Sequence, residues 1–188
     1  MKAPRTGGAS ILRNTLEKMP LDIFNYKDHP EWFESWLSQI TDVDLKQYFM
    51  FTFVRNPWDR AVSIASYFQI PFHQFAGNFQ QLVTRDLNLL QHSFPLFMYT
   101  CLKSRLSVDF LGRFEMLQAD FDRLCEILGL PQTNLPISSE SSHEPYVNCY
   151  DFCTKGQIDQ IYGQDAVYFG YQFGEPAEGL GREIARRK

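Results

Sequence analysis

The chain has no apolar run near the length of a membrane span and no secretory leader ahead of its first motif, so it is expected to be cytoplasmic, or else a piece of something larger. Cysteine is scarce, with four residues at Cys101, Cys125, Cys149 and Cys153. That is too few for a disulfide scaffold. The close pair Cys149 and Cys153 lacks the partnered histidines of a metal site, so free thiols in a reducing compartment and no metal are expected. Positive charge is not in excess: 18 Lys and Arg face 22 Asp and Glu, for a net charge of −4. This argues against a nucleic-acid binder, which usually carries a basic face, while leaving room for a local basic pocket. There is no internal repeat and no low-complexity tract.

Apolar and aromatic residues are plentiful. Hydrophobic content of 44%, 15% aromatics and 17 Phe in 188 residues describe a folded chain with a dense aromatic core. One domain over residues 1–174 is expected, with a flexible Gly-, Glu- and Arg-rich tail over 175–188. The chain is organised around Phe49-Met50-Phe51-Thr52-Phe53-Val54-Arg55-Asn56-Pro57-Trp58-Asp59-Arg60-Ala61-Val62-Ser63. Its first six residues, five of them apolar, suit a strand buried on both faces. Asn56 and Pro57 read as a helix N-cap and first helical residue, followed by Ala61, Ile64, Ala65 and Phe68 at helical spacing. A strand that ends where a helix begins exposes free N–H groups and the positive helix end, which suits an anion. Arg55 at the strand tip and Ser63 two turns into the helix can reach one phosphate.

A second anion-cradle composition lies at Pro4-Arg5-Thr6-Gly7-Gly8-Ala9-Ser10, ahead of a helical face at Ile11, Leu12, Thr15, Leu16 and Met19 that Pro20 stops. Its glycine and lysine spacing is not that of a Walker A loop, which speaks against an ATP-using nucleotide kinase. Further along, a helix is expected near Glu31–Gln39. Phe72–Leu90 reads as helical in its second half, a break follows over Gln91–Pro95, and Leu96–Leu102 reads as a short helix or turn. A strand is expected over Val108–Phe114, and an amphipathic helix over Glu115–Leu128 that Gly129 and Pro131 end. After a Ser-rich loop over Thr133–His143 come a final helix over Thr154–Tyr162 and a packed aromatic run over Asp165–Phe173.

Three blocks together resemble the sulfotransferase family that uses 3′-phosphoadenosine-5′-phosphosulfate (PAPS), in its carbohydrate-type "family 2" branch. Pro4–Ser10 resembles the family's 5′-phosphosulfate loop, Phe53–Ser63 its 3′-phosphate motif, and Val108–Gly129 the segment around Gly112-Arg113-Phe114-Glu115. The ending Phe169-Gly170-Tyr171-Gln172-Phe173 is similar to the family's closing aromatic run. The resemblance implies an α/β, P-loop-like three-layer fold, with a parallel sheet flanked by helices. It implies sulfuryl transfer from PAPS to a hydroxyl acceptor, with carbohydrate as the expected partner, no nucleic acid and no metal. Cofactor binding would fall to Arg5, Thr6, Gly7, Gly8, Ala9, Ser10, Arg55 and Ser63. Catalysis would fall to Arg5 and to His29 as general base, with His92 and His143 as loop alternatives and His73 as structural.

Two features depart from the family pattern. Arg5 stands where the family usually has Lys, keeping the charge but unable to give up a proton. The apolar strand that usually runs into the phosphosulfate loop is missing ahead of Pro4. A truncated start, decay from an active ancestor, or a partner filling the gap would each account for it. The alternative to an active enzyme is accordingly a non-catalytic relative that binds nucleotide.

Overall fold

In the computed structural model, the residues described are 5–7, 11, 49–102, 105–106, 108–135, 144–176 and 182–183. Strand β1 (Phe51–Val54) consists of aromatic and β-branched residues, the types that fill a pleated buried surface. Asn56 then caps helix α1 (Pro57–Tyr67), its side-chain Oδ1 accepting from the N–H of Trp58 at 3.1 Å and of Asp59 at 3.2 Å. Pro57 at the first helical position gives up no bond, because that N–H has no partner within a helix. Both elements lie where the sequence placed them.

The stretch after α1 differs from expectation. Helices α2 (Phe72–Gly77), α3 (Phe79–Arg85) and α4 (Leu87–Ser93) fill it from its first half onward. Asp86 explains the last boundary, since its carboxylate accepts from the N–H of Asn88 and Leu89 and starts a new helix in mid-run. The expected break at Gln91–Pro95 shrinks to Phe94 and Pro95, where proline removes a donor. Helix α5 (Leu96–Thr100) follows, then a small antiparallel pair, β2 (Cys101–Leu102) with β3 (Arg105–Leu106).

Strand β4 (Phe110–Arg113) lies parallel to β1, with Phe51 opposite Phe110 and Val54 opposite Arg113. The Asp109 carboxylate pins the start of this ladder by accepting from the Met50 N–H at 2.7 Å. Gly112 faces Phe53, and a Cβ there would lie 2.3 Å from a carbon of that ring. A 3₁₀ turn (Phe114–Met116) leads into α6 (Leu117–Leu128), which Gly129 ends at φ 66°. Helix α7 runs Phe152–Phe169, starting before and ending well after the expected Thr154–Tyr162. A reciprocal capping box between Asp151 and Thr154 sets its start, and Gly170 at φ 70° its end. Gly156 and Gly163 lie in open space within it, so they interrupt the apolar pattern without breaking the helix. β5 (Arg182–Glu183) pairs antiparallel with β4, so the described sheet is mixed rather than wholly parallel, in the order β1-β4-β5.

Side chains of β1 and β4 alternate between two cores. Val54 and Leu111 join Trp58, Ile64, Phe75, Ile158 and Tyr162 from the α1, α2 and α7 side. Phe53 and Phe110 join Phe121, Leu124 and Cys125 of α6 on the other face. The result is an α/β arrangement with helices on both faces of the sheet. Asp165, fully buried in α7, accepts from the N–H of Leu96 at 2.7 Å and of Phe97 at 2.9 Å, tying α5 to α7. Burial pushes its carboxyl up, while the Arg60 charge and those two N–H groups hold it down. Among the described residues, no helix is long and apolar enough to cross a membrane.

Candidate anion site at the β1–α1 junction

The site begins with Arg55, the residue that leaves β1. Its position at a buried strand tip leaves the residue only 5% exposed, and three groups accept from its Nε and Nη1. Nε donates to the Asp59 carboxylate at 2.6 Å, one turn into α1. Nη1 donates to the Arg5 carbonyl oxygen at 3.2 Å and to Ser63 Oγ at 3.0 Å. The guanidinium lies 4.1 Å over the Phe114 ring, on the turn that leaves β4. Two parallel strands thus deliver a cation and the aromatic face beneath it to the same end of the sheet.

Arg5 closes on the same point from the N-terminal segment. Its Nε and Nη2 donate to Ser63 Oγ at 3.1 and 2.9 Å. Its guanidinium lies 4.8 Å over the ring of Tyr67, one helical turn beyond Ser63. Burial and the neighbouring Arg55 charge lower the pKa of Arg5, and Tyr67 partly opposes the shift. Arg5 also has φ 59°, a left-handed conformation that a side chain adopts at a cost of roughly 1 kcal/mol or more. The bond from Arg55 to its carbonyl holds it there. Gly7 follows at φ 76°, and a Cβ at that position would meet the side chain of Leu117 at 2.6 Å. Only glycine lets this turn sit on the start of α6. The N–H of Ile11 donates to the Gly7 carbonyl at 3.3 Å, and Thr6, just before Gly7, is buried.

A carboxylate steadies the junction from behind. Glu115 Oε1 accepts from the Asn56 N–H at 2.6 Å, and its Oε2 accepts from the Tyr171 hydroxyl at 2.9 Å. Tyr171 in turn stacks on the Arg113 guanidinium at 4.7 Å, and Arg113 Nη2 donates to the Phe169 carbonyl. Burial, with the Glu115 charge, pushes the Tyr171 phenol far above its ordinary range, so it serves as a donor. The closing aromatic segment is thereby fastened to the anion site.

The structure therefore brings together Arg5, Thr6, Gly7, Arg55 and Ser63. Gly8, Ala9, Ser10 and the proposed base His29 lie outside the described residues, as does His143. His92 is not a loop residue: it sits in α4, 4% exposed, with Nδ1 2.8 Å from the Asn88 carbonyl oxygen. That distance requires the proton on Nδ1. Its ring stacks on Tyr67 at 5.5 Å. His73 is exposed on α2 rather than built into the core, because its helix buries Phe75 and Ala76 instead. Sequence reasoning passed over Asp59, Tyr67 and Glu115. The first two carry a readable signal, each lying four residues beyond a chosen ligand, Arg55 or Ser63. Glu115 carries none, since its partners are remote in the chain. Among the described residues, no group of three His, Cys, Asp or Glu side chains could hold a metal ion.

A buried strand running into a capped helix, with two guanidinium groups on one hydroxyl, makes an α/β protein with a candidate anion site. Residues 15–172 match the pattern of the sulfotransferase family, and the chain belongs to that family. The match covers the β1–α1 junction and begins after Pro4–Ser10. An uncharacterized protein of Archaeoglobus fulgidus is 32% identical over 90 residues, covering 45% of this chain and 71% of that relative. No solved structure matches. Family membership points to a transferase acting on sulfuryl groups.

Proposed function

We propose that this chain moves a sulfuryl group from PAPS to a hydroxyl of a carbohydrate or similar acceptor, on a P-loop-like fold. The observation that carries this reading is the convergence of Arg5 and Arg55 on Ser63 Oγ. A hydroxyl oxygen has two lone pairs and no charge, so it serves three guanidinium N–H donors poorly. A phosphate offers more oxygens and the opposite charge, and charge-assisted bonds to it are worth about 1.5–3 kcal/mol each. The donor set therefore fits one anionic end of the cofactor.

Bound PAPS supplies an activated sulfuryl group on a phosphosulfate anhydride, with a second phosphate on the ribose. Arg55 and Ser63 would hold the 3′-phosphate beside the first two turns of α1. The loop Thr6-Gly7-Gly8-Ala9-Ser10 holds the phosphosulfate through backbone N–H groups and hydroxyls, as its glycine content allows. In-line transfer asks mainly for positioning and charge stabilisation. His29 takes the proton of the acceptor hydroxyl. Titration of the intact chain with 3′,5′-adenosine diphosphate in a calorimeter tests the reading, and absence of binding would sink it.

One observation favours a second reading, a relative that binds nucleotide without turning it over. Arg5 replaces the lysine of the family's loop, and arginine cannot hand a proton to the departing oxygen. Sulfated product formed from radiolabelled PAPS and an acceptor panel would support the enzyme. Good nucleotide binding with no product, unchanged in Arg5→Lys, would support the binding protein.

A further inference from the structure

We infer that Arg5 is a second ligand of the 3′-phosphate, held there by Tyr67, rather than a group that serves the transferring sulfuryl end. The inference rests on the nucleotide reading given above and departs from what position 5 implies within a phosphosulfate loop. Three geometric facts carry it. Arg5 directs both Nε and Nη2 at Ser63 Oγ, the oxygen that Arg55 Nη1 also reaches at 3.0 Å. The Arg5 backbone is locked in a left-handed turn by Arg55, which bonds its carbonyl, so the two residues move as a unit. The guanidinium then rests 4.8 Å over Tyr67, whose ring meets Phe68 edge-on at 5.1 Å and stacks on the buried ring of His92 at 5.5 Å with 22° between the planes. His92 is fixed in turn by Asn88. The stack of His92, Tyr67 and Arg5 is a rigid prop that aims Arg5 along α1 at Ser63.

Two guanidinium groups that share one small neutral acceptor repel each other. Among the described residues, Arg55 has Asp59 as a counter-charge, and Arg5 pairs with no carboxylate. A dianionic phosphate at Ser63 relieves both problems, since it neutralises the pair and gives each fork its own oxygens. Tyr67 is half exposed, and its ring is kept beside the site by Arg5, His92 and Phe68. It is a positioning residue that acts through Arg5.

The test compares 3′,5′-adenosine diphosphate with adenosine 5′-phosphate, which lacks the 3′-phosphate, by calorimetry on the intact chain. The wild-type chain is expected to prefer the bisphosphate at least tenfold. Arg5→Ala should remove most of that preference, lowering bisphosphate affinity by tenfold or more and leaving the monophosphate within twofold. Tyr67→Leu should shift the ratio in the same direction by a smaller factor, and Tyr67→Phe should match wild type, because the ring and not the hydroxyl faces Arg5. Unchanged melting temperatures in the Tyr67 variants would separate this effect from misfolding. Equal weakening of both ligands by Arg5→Ala would assign Arg5 to the 5′ end and overturn the inference alone. A wild-type ratio near one, or no binding at all, would overturn the site reading and the inference with it.

Discussion

Arg55 joins three partners at the candidate site. It pairs with Asp59, props the Arg5 carbonyl and donates to Ser63, all from a position only 5% exposed. Arg55→Ala removes the donor shared with Ser63 and releases the left-handed turn at Arg5. The expected outcome is a loss of bisphosphate affinity of about 10- to 100-fold, in line with one charged hydrogen bond of roughly 1.5–3 kcal/mol. Isothermal titration measures it, and an unchanged affinity would remove Arg55 from the site. Gly112 is the opposite kind of residue, important for what it lacks. Gly112→Ala would put a methyl 2.3 Å from the buried Phe53 ring, with β1 and β4 paired at that point. Overpacking of this kind costs about 1–3 kcal/mol, which a lower urea midpoint would register.

The helices owe their limits to local chemistry of uneven legibility. Asn56 with Pro57 can be read straight from the chain, because cap and first-turn residues act on N–H groups two or three positions away. The same holds for Gly129 after α6. Helix α7 is longer than its apolar pattern indicates: Asp151 accepts from the Thr154 N–H at 2.7 Å and sets its start, and Gly170 sets its end, neither with an apolar repeat beside it. Asp151 yields a pH prediction. Its hydrogen bonds to the Thr154 backbone and side chain hold its pKa below the usual carboxylate value. A carboxyl with a lowered folded pKa contributes stability above its unfolded pKa, about 3.9, and loses it as pH falls through the folded value. Asp151→Ala should therefore lower the melting temperature at pH 7, and the gap to wild type should close at pH values below about 4. A gap that persisted into strong acid would mean that the charge is not what caps α7.

Across the fold, Arg60 and Asp165 hold four helices to one another. Arg60 is fully buried in α1 and donates to the carbonyl oxygens of His92 and Phe94 at the end of α4. Asp165 in α7 accepts from the start of α5 and is coupled electrostatically to Arg60. Asp165→Ala would leave the N–H groups of Leu96 and Phe97 without their acceptor and remove a charge that is coupled to Arg60. Leaving a buried donor unsatisfied costs about 1–3 kcal/mol, and chemical denaturation should show the change as a drop in midpoint without loss of two-state behaviour. Asp165→Asn, which keeps an acceptor but not the charge, should lose less. The net charge of −4 says nothing of this, nor of the two cations gathered at Ser63. Charge totals describe long-range fields, whereas the site works at hydrogen-bond range.

The β1–α1 junction was readable from the chain because its strand, cap, proline and the two candidate ligands eight positions apart all lie within fifteen residues. The motif blocks likewise pointed to the sulfotransferase family, to which the chain belongs. Three other features came only with the folded chain. Arg5 meets Ser63 across 58 positions, Asn56 meets Glu115 across 59, and Tyr171 meets Glu115 across 56. Separations of that size carry no periodicity or capping signal. Parallel pairing of β1 with β4 and packing on both sheet faces close those distances, and neighbouring residues alone do not encode which remote partners will meet.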